Sequence, residues 1–323
     1  MTWMITGGAG YIGSHVVRAM TAAGEPVVVL DDLSTGRADR LPAGVPLEKG
    51  TVLDRDVLDR VLREHAVTGI VHIAAKKQVA ESVAKPLLYY RQNVEGMRAL
   101  LDAAVAAGVR RLVFSSSAAV YGTPDTDVVT ERTPCAPINP YGETKLAGEW
   151  MAAAVGRAHG MATAALRYFN VAGAAAPELA DDGAYNLVPM VFERLTTGRA
   201  PLVFGDDYPT PDGTCVRDYI HVEDVASAHV AAARRLMADP GAELVLNVGR
   251  GEGVSVREMI AVIQEVSGLK DPAPETGPRR PGDSARAVAS VDLIHRELGW
   301  TARHGVREMV ESAWRGWALR HPA

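Results

Sequence analysis

Tyr141, Lys145 and Ser117 are the residues whose types and spacing could carry out chemistry. Tyr141 and Lys145 lie four positions apart at the start of a predicted helix, so their side chains share one face. Such a pair is common by chance, and on most helices it would be an ordinary surface pair. Ser117, however, closes the run that begins at Ser115, at the end of a predicted core strand. Ligands bind at the carboxyl ends of strands in open parallel sheets. A serine at such a strand end therefore favours a functional site that includes Tyr141 and Lys145 over an ordinary surface pair.

The chemistry that this group could perform is proton transfer by a tyrosine. A free phenol has a pKa of about 10, and a base near neutral pH needs a pKa about three units lower, or about 4 kcal/mol of stabilisation of the phenolate. A nearby ammonium and a positively charged nicotinamide ring are the natural sources of that stabilisation. Lys145 could also bind the nicotinamide ribose, and the hydroxyl of Ser117 could position the reacting oxygen.

A glycine-rich turn near the chain start predicts a dinucleotide site. Gly7, Gly10 and Gly13, with Tyr11 and Ile12 between them, connect a predicted strand to a predicted helix. Small residues let the backbone approach a pyrophosphate, and the helix N-terminus offers free N–H groups. An ordinary glycine-rich turn would look similar, but the order of strand, turn and helix favours the dinucleotide site.

Asp31 and Asp32 indicate which dinucleotide is bound. Asp31 ends the second predicted strand, eighteen positions after Gly13. A carboxylate there can accept hydrogen bonds from both adenosine ribose hydroxyls and would repel a 2′-phosphate, which favours NAD over NADP. The sequence leaves open whether Asp31 or Asp32 makes these contacts, and a solvated turn aspartate is the plainer alternative.

The elements that must position these residues alternate along the first half of the chain. Short runs of Val, Ile and Leu without alternation predict strands buried on both faces, at 3–6, 26–31, 69–74, 111–116 and 162–169. Helices are predicted between them, at 12–23, 54–65, 90–107 and 141–159. This order predicts an α/β fold with a doubly wound parallel sheet.

The second half of the chain is less regular. Loops are predicted at 174–183 and 205–214, a strand returning to the sheet at 243–248, an extended proline-rich segment at 270–283, and a helix at 305–320. Trp314 and Trp317 are spaced to share a face of that last helix. We therefore predict a Rossmann-type NAD domain and a smaller mixed α/β substrate domain. The first would comprise 1–169 with about 215–248, and the second about 170–214 with 249–323.

Composition excludes several classes of function. The 323 residues are 47% hydrophobic and 23% charged, an ordinary globular balance. A net charge of −5 implies no basic face, so nucleic acid is not expected as a partner. Cys135 and Cys215 are too few for a disulfide framework, and no targeting segment or membrane-spanning apolar run is evident. We expect a cytoplasmic protein without a membrane partner.

Histidines and cysteines show no spacing that suggests a metal site. His72 and His221 lie in apolar surroundings, where structural histidines with satisfied hydrogen bonds are expected. The expectation is therefore that no metal is bound.

The chain resembles the extended short-chain dehydrogenase/reductase family, which carries a turn like Gly7-x-x-Gly10-x-x-Gly13 and a Tyr-x-x-x-Lys pair like Tyr141 to Lys145. Within that family it is similar to nucleotide-sugar 4-epimerases at 74–82, 115–122, 167–172 and 208–222, of which the last is the most specific. The resemblance implies reversible epimerisation at C4 of a UDP-hexose, between UDP-galactose and UDP-glucose. The route is a transient 4-keto sugar with tightly bound NAD. It also implies a homodimer formed through helices like 90–107 and 141–159.

The same resemblance implies contacts position by position. Besides the glycine-rich turn, Asp31, Asp32, Tyr141 and Lys145, the cofactor would meet Ala74, Lys77, Asn93, Ser115 and Phe169. Besides Ser117 and Tyr141, the UDP-sugar would meet Asn170, Asn186, Leu187, Phe204, Arg217, Arg280 and Asp283. Phe204 would lie against the uracil, Arg217 and Arg280 would clamp the diphosphate, and Asp283 would hold the uridine ribose. Plainer alternatives are an ion pair of Arg217 with Asp218 and a solvated charge at Arg280.

Two positions depart from the family pattern. Thr51 stands where the family usually has an aspartate near the adenine, so adenine recognition loses a charge there. Ala287 stands where a larger residue often borders the sugar. The open space predicts a possible side activity on UDP-N-acetylhexosamines.

Other reactions and roles remain as alternatives. A nucleotide-sugar 4,6-dehydratase would need an Asp-Glu pair just after the catalytic serine, where this chain has Ala118 and Ala119. A decarboxylase or a reductase is less easily excluded. A redox-sensing NAD-binding protein without catalysis is a third hypothesis, although such proteins usually lack the tyrosine or the lysine that this chain has at Tyr141 and Lys145.

Overall fold

The computed structural model describes residues 1–181, 183, 185–280 and 282–321. Residues 182, 184, 281, 322 and 323, which fall within predicted loops and the predicted second domain, lie outside the described residues. The strands are β1 (Thr2–Thr6), β2 (Val27–Asp31), β3 (Leu47–Lys49), β4 (Val67–His72), β5 (Arg111–Ser117), β6 (Val128–Val129), β7 (Ala162–Tyr168), β8 (Asn170–Ala172), β9 (Leu202–Phe204), β10 (Val216–His221), β11 (Glu243–Val248), β12 (Gly253–Ser255), β13 (Glu275–Gly277) and β14 (Arg286–Ala289).

The α-helices are α1 (Tyr11–Ala22), α2 (Arg55–Glu64), α3 (Val79–Ala84), α4 (Pro86–Tyr89), α5 (Gly96–Ala106), α6 (Pro140–His159), α7 (Leu187–Thr196), α8 (Val222–Ala238), α9 (Val256–Ser267), α10 (Asp292–Leu298) and α11 (Val306–Arg320). Short 3₁₀ turns cover Ala38–Arg40, Ala118–Tyr121 and Pro177–Leu179, and Tyr90–Glu95 forms a π-helical turn. Within the described ranges, every helix is too short or too polar to cross a membrane.

Seven parallel strands form the main sheet, in the order β11-β7-β5-β4-β1-β2-β3. The order reverses between β1 and β4, and ligands bind outside the carboxyl ends of strands at such a switch point. All five strands predicted in the first half are confirmed, and the strand predicted at 243–248 does return to the sheet beside β7. The doubly wound α/β fold is therefore confirmed.

Both faces of this sheet are covered, which explains why its strands carry no polar alternation. Ile5 packs with Val17 of α1 and Ala232 of α8 on one face. The neighbouring Met4 packs with Leu100 of α5 on the other. Because successive side chains point to opposite faces, a strand buried on both sides reads as a continuous apolar run.

A second, smaller mixed sheet has the order β12-β10-β14-β6, with β8 also pairing β10, and β9 and β13 form a separate parallel pair. Phe192 of α7 packs against Trp314 and Trp317 of α11, with ring centroids 5.1 and 5.9 Å apart, so the predicted shared face of the two tryptophans is confirmed. The predicted loop at 174–183 includes a 3₁₀ turn, and the extended segment at 270–283 includes β13. The proposed domain boundaries remain a prediction.

Candidate active site

The glycine-rich turn between β1 and α1 is packed too tightly for side chains. Gly7 has a φ of +71°, and a Cβ on Gly7 would lie 2.7 Å from the backbone nitrogen of Ala74. A Cβ on Gly13 would lie 2.0 Å from the carbonyl oxygen of Gly7. Only glycine permits this tight turn, and no side chain caps the N-terminus of α1, so the turn and the first N–H groups of the helix form a cradle that fits the pyrophosphate of a dinucleotide.

The two carboxylates after β2 occupy different surroundings. Asp31 is buried, and its oxygens accept hydrogen bonds from the backbone N–H of Ala9 at 2.9 Å and of Leu33 at 2.8 Å. Burial raises the pKa of Asp31, and these two bonds act in the opposite direction. Asp32 is exposed and lines an open cleft of about 910 Å³ together with Thr51. Asp31 thus braces the glycine-rich turn, while Asp32 faces the cleft.

Asn93 lies in the π-helical turn, and its amide is fully engaged. Its Nδ2 donates to the carbonyl of Lys76 and to Oγ1 of Thr144, both at 3.0 Å, while its Oδ1 accepts from the N–H of Lys76 at 2.8 Å. Asn93 therefore ties the loop after β4 to helix α6. In that loop, Nζ of Lys77 lies 3.9 Å from the carboxylate of Asp181. Turns of the π type are rare and are often found at functional sites.

Tyr141 stands at the second position of α6, where the helix begins against the turn after Ser117. Asn139 caps the helix by accepting from the N–H of Gly142 at 2.9 Å, and a proline follows at the first helical position. A Cβ on Gly142 would lie 2.6 Å from the carbonyl oxygen of Ala119, so the missing side chain permits the close approach. The hydroxyl of Ser117 lies close enough to that of Tyr141 to influence its pKa. The structure therefore brings the predicted base and its serine together.

Lys145 follows one turn later and is buried. Its Nζ donates to the carbonyl of Ser115 at 2.7 Å and lies 5.9 Å from the ring centroid of Tyr141. Burial lowers the pKa of Lys145 to about 8, so the side chain still carries its proton at neutral pH. Burial raises the pKa of Tyr141, and the nearby hydroxyl of Ser117 acts in the opposite direction. These protein groups alone therefore do not supply the fall in pKa that a tyrosine base needs.

Two other predicted cofactor residues are turned into the protein core. The hydroxyl of Ser115 is hydrogen-bonded to Nε2 of His229 at 2.8 Å. Only the backbone carbonyl of Ser115 contacts Lys145, by accepting from its Nζ. Phe169 is buried in a cluster with Tyr121 and Leu146. Their predicted contacts with a cofactor remain predictions.

The substrate-side residues form two charged contacts. Nη2 of Arg217 lies 3.2 Å from the carboxylate of Asp283. The guanidinium of Arg280 lies 3.8 Å from the ring centroid of Phe204. The structure thus groups the four predicted uridine-diphosphate residues in pairs. The alternative ion pair of Arg217 with Asp218 is wrong, because the carboxylate of Asp218 is buried and accepts from three backbone N–H groups.

The remaining predicted substrate residues lie on neighbouring elements. Asn170 is exposed on β8, opposite Tyr219 of β10. Asn186 is exposed and caps α7, which begins at Leu187. Nδ2 of Asn186 donates to Asp181 at 3.4 Å. Because Asp181 also contacts Lys77, it joins the predicted cofactor side to the substrate side. No local sequence pattern indicates Asp181, because its partners Lys77 and Asn186 lie in distant or irregular segments.

His72 and His221 are structural, as predicted. Nδ1 of His72 is hydrogen-bonded to Oγ1 of Thr6 at 2.7 Å, and Nε2 of His221 to Oγ of Ser312 at 3.0 Å. Burial lowers the pKa of both histidines to about 3, so both are neutral. His221, Glu223 and His304 form a group that could in principle hold a metal ion. However, Nδ1 of His221 already accepts from the N–H of Glu223 at 3.1 Å, which occupies its lone pair.

Comparisons with known proteins agree with this geometry. Residues 3–249 match the model of the NAD dependent epimerase/dehydratase family. A UDP-glucose 4-epimerase of Azospirillum brasilense is 48% identical over 305 residues, or 93% of this chain and 87% of that protein. A UDP-glucose 4-epimerase of Streptomyces lividans is 46% identical, over 99% of this chain and 97% of that protein.

A solved structure is also similar to this chain over its full length. The UDP-glucose-4-epimerase from Stenotrophomonas maltophila, with bound NAD and formylated UDP-arabinopyranose, is 40% identical. It superimposes with a TM-score of 0.94 over 100% of both chains. The match to the family model and these full-length similarities show that the chain belongs to the NAD dependent epimerase/dehydratase family, among the extended short-chain dehydrogenases/reductases.

Proposed function

We propose that this protein is an NAD-dependent epimerase that interconverts UDP-galactose and UDP-glucose at C4. The observation that carries the proposal is the grouping of Tyr141, Ser117 and the buried Lys145 at the carboxyl end of β5, where Nζ of Lys145 lies 5.9 Å from the ring centroid of Tyr141 and bonds to the carbonyl of Ser115. The paired groups that suit a uridine diphosphate, Arg217 with Asp283 and Arg280 with Phe204, support a nucleotide-sugar substrate.

The protein's part in the reaction is to move one proton and to hold the substrate. The glycine-rich turn with Asp31 and Asp32 would hold NAD, which when bound supplies a reversible two-electron acceptor for C4 and a positively charged ring. Tyr141 removes the proton from the sugar 4-hydroxyl while Ser117 orients that oxygen. Lys145 favours the phenolate through its positive charge. Arg217 and Arg280 keep the diphosphate bound while the 4-keto sugar turns, after which Tyr141 returns the proton.

The dehydratase alternative lacks its acid and base. The 3₁₀ turn directly after Ser117 begins with Ala118 and Ala119, at the positions where a 4,6-dehydratase places an aspartate and a glutamate. Methyl groups cannot transfer protons to or from C5 and C6. An epimerase needs no group there.

The direct test is to incubate the purified protein with UDP-galactose and to follow the appearance of UDP-glucose by NMR. We expect an equilibrium mixture of the two sugars without consumption of added NAD. Tight NAD binding with no turnover of any nucleotide sugar would refute the proposal and favour a sensor.

Cofactor preference gives a second test. Asp31 and Asp32 place two carboxylates near the predicted adenosine ribose, where they would repel a 2′-phosphate. We expect NAD to copurify with the protein and NADP not to replace it. The double variant Asp31→Ser with Asp32→Arg should relax this preference, whereas Asp239→Asn, a surface carboxylate at the end of α8, should not. Calorimetry on cofactor-stripped protein measures both affinities, and equal affinities in the wild type would contradict the assignment.

Ala287 predicts a broader choice of sugar. It lies on β14 in register with Arg217 of β10, one of the predicted diphosphate residues, and it is only partly buried. A small side chain there leaves room for an acetamido group at C2 of the sugar. A bulky side chain would overpack the pocket, which costs about 1–3 kcal/mol of binding free energy. We expect the wild type to interconvert UDP-GlcNAc and UDP-GalNAc more slowly than the glucose pair.

The test compares the wild type with Ala287→Tyr on both sugar pairs. The tyrosine should suppress the N-acetyl reaction and largely spare the glucose pair. Absence of N-acetyl activity in the wild type, or its persistence in the variant, would show that Ala287 is not the gate.

We propose further that the protein works as a homodimer in the cytoplasm. Trp150 on the outer face of α6 is 66% exposed, and Leu87 on α4, just before the π-helical turn, is 81% exposed. Apolar side chains of this size favour a helical contact between two copies. Cys135 and Cys215 are both free thiols, which fits a reducing compartment. Sedimentation equilibrium measures the mass of the assembly.

A further inference from the structure

A buried carboxylate continues the face of α6 that carries the catalytic pair. Glu149 follows Lys145 by four positions, just as Lys145 follows Tyr141. Its carboxylate accepts hydrogen bonds from Oγ of Ser116, from Nε of Arg167 at 2.9 Å and from Nη2 of Arg167 at 2.6 Å. Only 5% of the Glu149 side chain and 6% of the Arg167 side chain are exposed. The two form a bidentate ion pair inside the protein.

The remaining donor of Arg167 extends the contact to other elements. Nη1 of Arg167 donates to the hydroxyl of Tyr121 at 2.9 Å, and that hydroxyl donates to Oδ1 of Asn247 at 2.7 Å. Arg167 lies on β7, Tyr121 in the 3₁₀ turn after Ser117, and Asn247 on β11. The pair therefore connects helix α6 with three parts of the sheet that surround the catalytic group.

Stability alone is a poor explanation for such a pair. Removing two charges from water costs several kcal/mol per ion, and well-packed apolar residues of similar volume are often as stable or more so. The position of Glu149, one turn from Lys145, offers a different explanation. The negative charge of Glu149 raises the pKa of Lys145 and so opposes burial, which lowers it.

Glu149 is the one negatively charged group in the immediate surroundings of Lys145 among the residues that the structure describes. The titratable and charged groups there are Tyr141 and Glu149 on α6, His72 on β4, and Arg167 and Tyr168 on β7. Burial acts against the charged forms of His72 and Tyr168, and it acts in the same way on Tyr141 as long as no cofactor is bound. The charge balance around Lys145 therefore depends on Glu149 and on its partner.

We propose that Glu149, held in place by Arg167, is a positioning residue for Lys145 that keeps the catalytic ammonium protonated over the working pH range. The inference rests on the proposed epimerase function. Arg167 fixes the carboxylate of Glu149 in place through two hydrogen bonds. Loss of Glu149 leaves burial of Lys145 unopposed by a nearby negative charge.

The test is the pH dependence of kcat/KM for UDP-galactose, measured on the NAD-bound enzyme. The alkaline limb should report loss of the Lys145 proton. Glu149→Gln keeps the shape of the side chain and should move this limb to lower pH by at least about one unit. Arg167→Met releases the carboxylate from its fixed position, so Lys145 no longer has a fixed negative charge beside it, and the limb should move in the same direction as in Glu149→Gln. Tyr121→Phe, which removes a hydrogen bond of the same network without changing charge, should leave the limb in place.

Outcomes separate this inference from the function on which it rests. An inactive wild type contradicts the epimerase proposal. If the wild type is active and the alkaline limb stays in place in both charge variants, the ion pair is only structural, even if the variants have a lower maximal kcat/KM. NAD content and thermal unfolding establish that each variant is folded, and a limb that stays in place in folded, active Glu149→Gln is by itself enough to overturn the inference.

Discussion

Replacing Tyr141 by phenylalanine is expected to lower epimerase turnover at least about a hundredfold, the usual scale for loss of a general base. A hundredfold loss corresponds to about 2.7 kcal/mol in the activation free energy. The buried ring should keep its packing, and Ser117 retains its hydrogen bond from the N–H of Ala119 at 3.1 Å. We therefore expect the fold and the NAD content to persist. Turnover is measured by NMR with UDP-galactose, and NAD content by absorbance after denaturation.

The matched control for this variant is Tyr121→Phe. It also removes one buried tyrosine hydroxyl from the region behind Ser117, but that hydroxyl bonds to Arg167 and Asn247 rather than facing the predicted substrate position. Its turnover should fall far less. Near-normal turnover of Tyr141→Phe would mean that another group is the base.

Replacing Gly13 by alanine is expected to abolish NAD binding and, with it, all epimerase activity. The added Cβ would lie 2.0 Å from the carbonyl oxygen of Gly7 and 2.8 Å from Cα of Gly8. Both neighbours are backbone atoms of the turn itself, so relief of the clash has to move the turn that would hold the pyrophosphate. The measurement is the ratio of NAD to protein after purification, together with turnover.

Gly305→Ala serves as the control for Gly13→Ala. Gly305 precedes α11 with an ordinary extended backbone, and a Cβ there would have no neighbour within 4 Å. That variant should retain NAD and activity. A full NAD content in Gly13→Ala would show that the cofactor does not depend on this cradle.

Local patterns predicted the first half of the fold well and the second half poorly. The strands of the main sheet are buried on both faces, so each is a compact apolar run bounded by turn residues. By contrast, α8 is rich in alanine and buried along much of its length against α1, which weakens the contrast between its polar and apolar faces. The three-residue strands β9 and β13 are held by pairing with each other, and no local pattern specifies that pairing.

The candidate site shows the same division. Tyr141 and Lys145 could be paired from spacing alone, since helix geometry fixes their common face. Glu149 repeats that spacing and could have been included. The contacts of Asp283 with Arg217 and of Asp181 with Lys77 join segments far apart in sequence, and such contacts depend on the topology of the whole chain.

The π-helical turn Tyr90–Glu95 bears on how this fold could change over time. Hydrogen bonds there span one residue more than in an α-helix, so deleting one residue would allow α4 to continue directly into α5. Such a deletion would improve the helix but rotate its two halves by about 100° relative to each other. Asn93 could then no longer face both Lys76 and Thr144. Helix stability alone therefore does not account for the turn, whereas the position that it gives Asn93, between the loop after β4 and helix α6, does.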